Sequence, residues 1–283
     1  MKIKGVDLSY CQEGISFPAL KQAGVKFAII RAGFSTKKDV TMDKFVADCK
    51  KYGIDYGFYW YSYAMSVEQA EAEAEKCISV IKELSPSYPV FFDMEEKKQI
   101  SGLSTDTRTK MAIAFCEKIR QAGFKTGIYA NPSFMEHYYD KSRIVGKYDI
   151  WLAHWTNSPN CPSKYNYGQT MWQWGVDKIG GYDVDGDICF TDYSSKTVDE
   201  LADEVLAGKW DNGAERERLL TAAGYDYNAV QKRINEKLYR KTVDEIANEV
   251  IAGLWGNGTE RKEKLTEAGY DYSAVQKRVN EML

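Results

Sequence analysis

Short apolar runs rich in strand-forming residues alternate with amphipathic segments over the first two thirds of the chain. Such runs, bounded by turn residues, predict buried strands, and apolar positions that recur every three to four residues predict helices. The predicted strands are Ile3–Ser9, Phe27–Ala32, Asp55–Ala64, Pro89–Glu95, Lys125–Ala130, Asp149–Trp155, Thr170–Gly175 and Val184–Phe190. The predicted helices are Ser16–Gly24, Met42–Gly53, Val67–Leu84, Thr105–Gly123 and Pro132–Tyr139.

The order of these elements predicts an α/β fold. Repeated β-α units with eight candidate strands are typical of a (β/α) barrel. The last third has lost its helices, so we expect an irregular barrel of about five β/α units plus three strands. A doubly wound open sheet is the competing architecture, but no Gly-rich phosphate loop supports it.

The tail of the chain is an internal duplication. Lys196–Leu238 aligns without gaps to Lys241–Leu283, with 30 of 43 positions identical and Tyr239-Arg240 as the joint. In the first copy, a capping box at Thr197-Val198-Asp199-Glu200 and an apolar stripe at helical spacing predict a helix that ends at Gly208. Two further helices are expected, Ala214–Ala223 before Gly224 and Asp226–Leu238. The chain therefore divides into a domain at 1–193, after which Ser194-Ser195 leads into two small three-helix bundles at 196–238 and 241–283.

Polar and aromatic residues at the helix junctions recur in both copies. Those that we single out are Trp210, Asn212, Gly213, Arg216 and Tyr225, which correspond to Trp255, Asn257, Gly258, Arg261 and Tyr270. Their recurrence favours a ligand site that is used twice, although core packing by Trp210 and Tyr225 and capping by Arg216 account for it equally well. Two weak sites on one chain gain avidity on a repetitive polymer, which favours an insoluble polymeric substrate.

A pair of acids ends the predicted strand Pro89–Glu95. Asp93 and Glu95 are two positions apart, and side chains alternate across a strand, so both carboxyls are expected on one face. Two carboxyls held together repel each other, and the pKa of one rises, which leaves one proton donor and one anion. Glycoside hydrolysis needs such a pair. A strand end that merely exposes two acids to water is the simpler alternative.

Catalytic residues of such barrels lie at the carboxyl ends of the strands. This rule adds Asp7 and one acid among Asp183, Asp185 and Asp187, of which the register favours Asp185. It also selects aromatic side chains, whose faces suit the apolar faces of sugar rings. The aromatic residues expected to line the cleft are Tyr59, Tyr61, Tyr129, Trp151, Trp155, Trp172 and Trp174. Several of them can instead belong to the core, and periodicity does not tell whether the Tyr59–Tyr61 face or Trp60 faces the pocket.

Composition narrows the function classes. The net charge of −3 gives no electrostatic reason to expect nucleic acid or an anionic membrane as partner. Six cysteines without C-x-x-C spacing and only two histidines leave little for a metal or redox site, so we expect no metal and no cofactor. The first residues contain no signal-peptide core, and no apolar run is long enough to span a membrane. We therefore expect a protein made in the cytoplasm that needs separate means of release.

Five motifs, in order, resemble the strand-end motifs of glycoside hydrolase family 25, the lysozymes (N-acetylmuramidases) of phages, bacteria and some fungi. They are Gly5-Val6-Asp7-Leu8-Ser9, Phe91-Phe92-Asp93-Met94-Glu95, Gly127-Ile128-Tyr129, Trp172-Gln173-Trp174 and Val184-Asp185. The resemblance covers about residues 1–193. The tail resembles two family-7 cell-wall-binding repeats of phage lysins through Gly-Lys-Trp-Asp-Asn-Gly, Ala-Gly-Tyr-Asp-Tyr and Val-Gln-Lys-Arg. The combination is similar to a phage endolysin.

The resemblance implies an eight-stranded barrel that cleaves the β-1,4 bond from N-acetylmuramic acid to N-acetylglucosamine in peptidoglycan. It implies Glu95 as the general acid, and Asp93 as the group that orients the 2-acetamido group or stabilises the oxocarbenium charge. Asp7 and Asp185 would complete the acidic floor. Trp60 stands where the family often has a His, so the pocket chemistry is expected to differ there. The repeats imply binding to muropeptides, and action on the wall after holin-dependent release.

The residues leave the mechanism and several rival functions open. Retaining, inverting and substrate-assisted routes can all use the acid pair, and we favour the route in which the substrate's own acetamido oxygen attacks. A chitinase-like or β-glucosaminidase barrel would also place Asp-x-Glu at the end of a strand. A wall-binding protein with an inactive barrel, and repeats that serve only for self-association, are the remaining alternatives.

Overall fold

The computed structural model describes residues 2–193, 196–223, 225–239, 241–268 and 270–283. The predicted junctions at Ser194-Ser195 and Arg240 and the predicted helix stop at Gly224 lie outside these residues. Internal contacts divide the chain into two units, Met1–Ser195 and Lys196–Leu283. In the described part of the chain, no helix is both long and apolar enough to cross a membrane.

The first unit is built on one closed sheet. Its strands in the described residues are β1 (Ile3–Leu8), β2 (Phe27–Phe34), β3 (Lys37–Lys38), β4 (Asp55–Tyr61), β5 (Val90–Asp93), β6 (Thr126–Ala130), β7 (Asp149–Ala153), β8 (Met171–Ile179) and β9 (Tyr182–Cys189). They pair in the order β1-β9-β8-β7-β6-β5-β4-β2-β3, and a further pairing of β1 with β2 closes the barrel, with β3 as a short addition to β2. The predicted irregular barrel is confirmed, and the open sheet is wrong.

One barrel strand runs against the others. β9 is antiparallel to both of its neighbours, β8 and β1, whereas the remaining barrel strands pair in parallel. The β8–β9 connection is a tight turn through Gly180 and Gly181, which both adopt positive φ. Because of this reversal, the first half of β9, rather than its end, lies at the carboxyl ends of the other strands.

Apolar and aromatic side chains fill the interior of the barrel. The buried members of this cluster are Phe27, Ile29, Tyr88, Phe91, Trp151, Met171, Cys189 and Tyr193. Glycines make room for the largest rings, since a Cβ on Gly5 would lie 2.1 Å from Phe27 Cζ and one on Gly127 would lie 2.6 Å from Phe91 Cε1. The interior is thus a packed core, and a site has to lie at the mouth of the barrel.

Helices cover the outer face of the first strands. They are α1 (Phe17–Gln22), α2 (Met42–Tyr52), α3 (Val67–Ile81), α4 (Lys97–Gly102), α5 (Thr105–Gln121) and α6 (Lys141–Ile144), with a π-helical turn at Phe134–Tyr138. The hydroxyls of Ser16, Ser66 and Ser104 cap α1, α3 and α5 by accepting a backbone N–H from the first turn. Among the described residues no helix separates β7, β8 and β9, as predicted.

Two tryptophans cover the outer face of the barrel where helices are missing. Trp172 and Trp174 of β8 pack with Ile188 and Phe190 in a cluster of their own, and they are only 1% and 6% exposed. Gln173 between them points inward. The prediction that Trp172 and Trp174 line the cleft is therefore wrong, because alternation puts both on the opposite face of the strand.

Each copy of the repeat folds into three helices around its own apolar cluster, as predicted. The helices are α7 (Val198–Leu206), α8 (Gly213–Ala222) and α9 (Tyr227–Tyr239) in the first copy, and α10 (Val243–Ile251), α11 (Gly258–Glu267) and α12 (Tyr272–Met282) in the second. Capping boxes begin α7 and α10, with Thr197–Glu200 and Thr242–Glu245 as the reciprocal pairs. All three helices contribute buried residues to the cluster, which in the first copy are Leu201, Ala202, Val205, Leu220, Val230 and Ile234.

Candidate active site

The carboxyl ends of the barrel strands bring the predicted acids to one mouth. Asp7 of β1 pairs with Asp185 of β9. Asp93, the last residue of β5, lies between Tyr61 of β4 and Tyr129 of β6. Asp7 and Asp93 lie close enough to interact electrostatically, since the charge of Asp7 contributes to the raised pKa of Asp93. Acids far apart in the sequence thus share one cleft.

Glu95 lies just beyond β5, which ends at Asp93 rather than at Glu95 as predicted. Met94 between the two acids is buried in the core outside the barrel, whereas the charge of Glu95 acts on Asp7 and Asp93, so its carboxyl belongs to the mouth. Burial raises the pKa of Asp93 well above its ordinary value, and the charge of Glu95 raises it further. Burial also raises the pKa of Glu95, with a second contribution from Glu96. Burial, more than mutual repulsion, is therefore the cause of the raised pKa values.

Asp187 forms a second carboxyl pair, with Asp7. Its side chain is fully buried, its Oδ1 accepts a hydrogen bond from Trp151 Nε1 at 2.8 Å, and burial followed by the charge of Asp7 raises its pKa well above the ordinary value. Burial is the main cause that raises the pKa of both acids. Two neighbouring carboxyls in a buried site repel each other when both are charged, so the raised pKa values favour a proton on one of them.

The segment Asp183–Asp187 was expected to supply one acid, and it supplies two. Asp183 is exposed and forms an ion pair with Lys178 at 2.6 Å. Asp185 is half-buried opposite Asp7, whose pKa its charge raises. Asp187, two residues further along the same face of β9, reaches deeper into the barrel. The sequence indicates that Asp183, Asp185 and Asp187 share one face of the strand, because they are two residues apart. Only the antiparallel direction of β9 shows which of them reach the mouth.

Gln173 connects several groups of the site and was missed from the sequence, where it stands between two tryptophans. Its Nε2 donates to Asp7 Oδ2 at 2.8 Å. Its Oε1 accepts from the hydroxyl of Tyr129 at 3.1 Å and from Trp155 Nε1 at 2.9 Å. Trp155 is 52% exposed, so the amide of Gln173 links an exposed aromatic ring to a buried carboxylate.

Arg31 is a cation at the mouth that the sequence analysis also missed. It follows Phe27 and Ile29, two residues of the barrel interior, on the same face of β2. Its Nε and Nη2 each lie 2.7 Å from Oδ2 of Asp39, which is buried. The charge of Arg31 opposes the rise in the pKa of Asp93. The alternation within β2 was the signal that would have found it.

The tyrosines predicted for the cleft do face it. Tyr59, Tyr61 and Tyr129 are all partly exposed. The phenol groups of Tyr59 and Tyr129 have a raised pKa, first because of burial and then because of nearby carboxylate charges. Trp151 instead forms the floor, at 2% exposure, where its ring meets that of Tyr129 edge-on at 4.6 Å. It offers no face to a sugar ring, so its predicted stacking is wrong, and it holds Asp187 in place instead.

Trp60 settles which face of β4 is the pocket. It is fully buried in the core outside the barrel, on the face opposite Tyr59 and Tyr61. A Cβ on Gly33 would lie 2.5 Å from Trp60 Cζ3, so the indole fills a space on β2 that only glycine leaves open. The expected change in pocket chemistry at Trp60 is therefore wrong, because this side chain points away from the mouth.

The aromatic residues that recur in the two repeats make the same contacts within each copy. Trp210 Nε1 donates to Glu204 at 2.9 Å, and its ring meets Tyr225 edge-on at 6.0 Å. Trp255 makes the equivalent contacts, at 3.0 Å to Glu249 and 5.9 Å to the ring of Tyr270. All four rings are only partly buried, so each keeps some surface for a ligand.

The recurring arginines tie two helices of each copy together. Arg216 donates to the Asp211 carbonyl at 3.1 Å, to Asn212 Oδ1 at 2.9 Å and to Gln231 Oε1 at 3.2 Å. In the second copy the contacts of Arg261 with the Gly256 carbonyl, Asn257 and Gln276 repeat this pattern. Gly213 and Gly258 begin α8 and α11 at positive φ. The fold by itself thus accounts for much of the recurrence, and the ligand role of these residues stays a prediction.

The barrel mouth therefore combines carboxyl groups of raised pKa with amide and aromatic side chains. An acid that holds its proton, beside a second carboxyl group in a cleft, is the arrangement by which glycosidases protonate a leaving sugar and stabilise the charge on the other. Fold and site together define a barrel of the glycoside hydrolase class.

Comparison with known proteins identifies the family. Residues 6–179 match the family described as Glycosyl hydrolases family 25, and the chain belongs to that family. Residues 199–238 and 244–283 each match the CW_7 repeat.

Similar proteins come from phages and bacteria. The lysozyme of Streptococcus phage Cp-7 is 30% identical over 230 residues, which cover 77% of this chain and 65% of that protein, so the chain spans less than two thirds of its length. The catalytic domain of endolysin ply40 from bacteriophage P40 of Listeria monocytogenes is 25% identical with a TM-score of 0.56, over 68% of this chain and 95% of that one. The autolysin LytC of Streptococcus pneumoniae, solved with a synthetic peptidoglycan ligand, has the same fold, with a TM-score of 0.58 at 24% identity over 67% of this chain and 47% of that one.

Proposed function

We propose that this protein is a peptidoglycan hydrolase that cleaves the β-1,4 bond between N-acetylmuramic acid and N-acetylglucosamine. The observation that carries the proposal is the carboxyl pair Asp93–Glu95, with Asp7 and Asp185 beside it, at the mouth of a family 25 barrel. Two relatives support the substrate class, since one is named a lysozyme and another was solved with a peptidoglycan ligand.

Glu95 is the proton donor in this proposal. It is the more exposed member of the pair, so it can reach the oxygen of the leaving sugar. Its pKa is raised by burial, which keeps a larger fraction of the carboxyl protonated at a given pH than for an ordinary glutamate. A general acid needs this property, because it must hold its proton until the glycosidic bond breaks.

Asp93 positions the substrate's 2-acetamido group. Its Oδ1 has no hydrogen-bond partner among the described residues, so the carboxyl is not committed to another protein group and can turn to accept the acetamido N–H. The acetamido oxygen then attacks the anomeric carbon, the glycosidic C–O bond breaks, and Glu95 protonates the departing oxygen. Water later opens the cyclic intermediate. In this route Asp7 and Asp185 stabilise the positive charge that develops on the sugar, and Gln173 keeps Asp7 in place.

The two parts of the chain divide the work. Residues 1–193 cleave the glycan, and the repeats at 196–238 and 241–283 hold the enzyme on the wall through muropeptides. The protein acts on the wall after release from the cytoplasm, with a holin as the means of release. If the repeats instead serve for self-association, light scattering will show a dimer whose formation depends on residues 196–283.

The test is the identity of the new reducing end. Purified peptidoglycan is digested with the full chain, reduced with borohydride, and the reduced sugar is identified by mass spectrometry. Muramitol is the expected product. Glucosaminitol would reassign the protein to the glucosaminidases, and the absence of new ends on walls of several species would leave wall binding by the repeats as its function.

A further inference from the structure

One side of the barrel mouth carries a continuous surface that the proposed catalytic step does not use. It consists of Tyr10, Arg31, Phe34, Tyr63 and Tyr61, which we call the rim wall. The guanidinium carbon of Arg31 lies 4.7 Å from the ring centre of Tyr10 and 5.2 Å from that of Phe34. The rings of Phe34 and Tyr63 are 6.5 Å apart, and those of Tyr63 and Tyr61 are 5.3 Å apart. Each side chain thus contacts the next.

The rim wall is held from below. Arg31 is anchored to Asp39, whose other oxygen accepts hydrogen bonds from the backbone N–H of Thr41 at 2.8 Å and from its hydroxyl at 2.7 Å. The guanidinium is therefore fixed in the plane against which Tyr10 packs. A fixed aromatic face loses little conformational entropy when a ligand covers it, which favours binding.

The rim wall is exposed and reaches the acid pair. Tyr10 is 54% exposed and Tyr63 is 47% exposed. A single exposed aromatic side chain is common on protein surfaces, but several in contact with one another are typical of a binding surface. At the inner end, the Tyr61 hydroxyl donates to Glu96 Oε1 at 3.0 Å, directly beside Glu95. The wall is therefore continuous with the cleft in which the bond is cleaved.

We propose that the rim wall is a subsite for sugar units of the same glycan strand that lie beyond the two residues joined by the cleaved bond. This inference rests on the proposed function, which supplies a glycan strand at the acid pair. A strand that enters the mouth must leave it over the rim, and the aromatic faces of Tyr10 and Tyr63 offer the flat apolar surfaces that pyranose rings cover.

The ion pair of Arg31 with Asp39 favours stacking by sugar rings over ion pairing with an acidic ligand. Its guanidinium is paired with the buried carboxylate of Asp39, so the cation is already compensated. An anionic peptide stem would have to displace Asp39 to gain a full ion pair, and Asp39 is held by Thr41. Stacking on aromatic rings does not require such an exchange.

The test compares substrates of different length on the full chain. Values of kcat/KM are measured for long, peptide-free glycan strands and for the disaccharide of N-acetylmuramic acid β-1,4-linked to N-acetylglucosamine, which supplies only the two residues joined by the cleaved bond. For the double variant Tyr10→Ala, Tyr63→Ala, the ratio of long-strand to disaccharide kcat/KM should fall about tenfold, as expected for the loss of two stacking faces. The variant Tyr10→Phe, Tyr63→Phe should restore the ratio, because it keeps the rings.

A matched control lies at the other end of the barrel. Tyr148 precedes β7 and packs under Arg120 with a centre distance of 4.8 Å, so Tyr148→Ala removes a similar stack far from the mouth. Its ratio should equal that of the wild type, and thermal melts should show that all variants fold. A ratio that is unchanged in the Ala double variant overturns the subsite alone, while the proposed function stands on wild-type cleavage. A wild type that cleaves neither substrate overturns both.

Discussion

At the scale of single residues, the acid pair separates two roles by depth in the cleft. Burial raises the pKa of both acids, but Glu95 is partly exposed and can reach the leaving oxygen, whereas Asp93 is buried. Glu95→Gln keeps the shape of the side chain but removes its proton, so we expect kcat on peptidoglycan to fall at least about a hundredfold. The release of reducing sugar measures this loss.

Wall binding is the control for that variant. Glu95→Gln should still sediment with purified walls, because the repeats are untouched. Near-normal release of reducing sugar would show that another residue supplies the proton.

Asp187 predicts a dependence of stability on pH. Its folded-state pKa lies above the value of about 4 of an unfolded Asp, chiefly through burial. A raised carboxyl pKa contributes stability below the unfolded pKa, and this contribution is lost as the pH rises through the folded-state pKa. Asp187→Asn cannot ionise, and its amide can still accept from Trp151 and donate to Asp7. Its free energy of unfolding relative to the wild type should therefore increase with pH.

Denaturant unfolding across the acidic to mildly alkaline range measures this difference. Asp183→Asn, on the same strand but with an exposed carboxyl, controls for the loss of one negative charge. Parallel curves for Asp187→Asn and the wild type at all pH values would mean that Asp187 carries no buried proton.

At the scale of elements, periodicity located the strands but not their inward faces. Nearly all strand positions were predictable, because short apolar runs between turn residues have few other uses. In β8 every residue from Met171 to Gly175 is buried, so alternation of polar and apolar residues is absent and the choice of Trp172 over Gln173 had no physical basis. The neighbouring strands and the direction of β9 determine which side chains of β8 face inward, and both depend on contacts between residues far apart in the sequence.

The two faces near β8 can be told apart by substitution. Trp172 is buried on the outer face, so Trp172→Ala should lower the free energy of unfolding by about 3–5 kcal/mol and leave KM for peptidoglycan near the wild-type value. Trp155 is half-exposed at the mouth and hydrogen-bonded to Gln173, so Trp155→Ala should raise KM with little loss of stability. Kinetics and thermal melts of both variants test this assignment, and a raised KM for Trp172→Ala alone would contradict it.

The loop before the second helix differs between the two repeats in a way that affects stability. Asp211 has φ +56°, a left-handed conformation that costs a side-chain-bearing residue free energy, and the second copy has Gly256 at this position with φ +70°. Asp211→Gly should therefore stabilise the first repeat by about 0.5–1 kcal/mol in denaturant unfolding. The reverse change, Gly256→Asp, is the matched control and should destabilise the second repeat, where a Cβ would lie 2.8 Å from Glu260 Oε2. A loss of stability in Asp211→Gly would refute the strain.

At the scale of the whole molecule, the barrel has large apolar clusters inside and outside its sheet and carries the candidate cleft, whereas each repeat has only one small core of its own. A three-helix module of this size has limited apolar area to bury. Each repeat is therefore stabilised by hydrogen bonds within the copy, such as those of Arg216 and Arg261, and these use polar residues that a larger domain could leave free to bind ligands. What remains for the wall in each copy is a small surface, and weak binding per copy is the expected result.

Duplication compensates for weak binding only if both copies engage the wall at once. In an inactive Glu95→Gln chain, removal of residues 241–283 should then lower retention on purified walls by at least about tenfold, because the second contact is intramolecular once the first has formed. Independent copies would lose only about half of the bound protein at subsaturating concentration. Light scattering of both chains decides whether a change in oligomeric state contributes. An inactive chain that binds walls equally well without the second repeat would show that one copy alone carries the targeting.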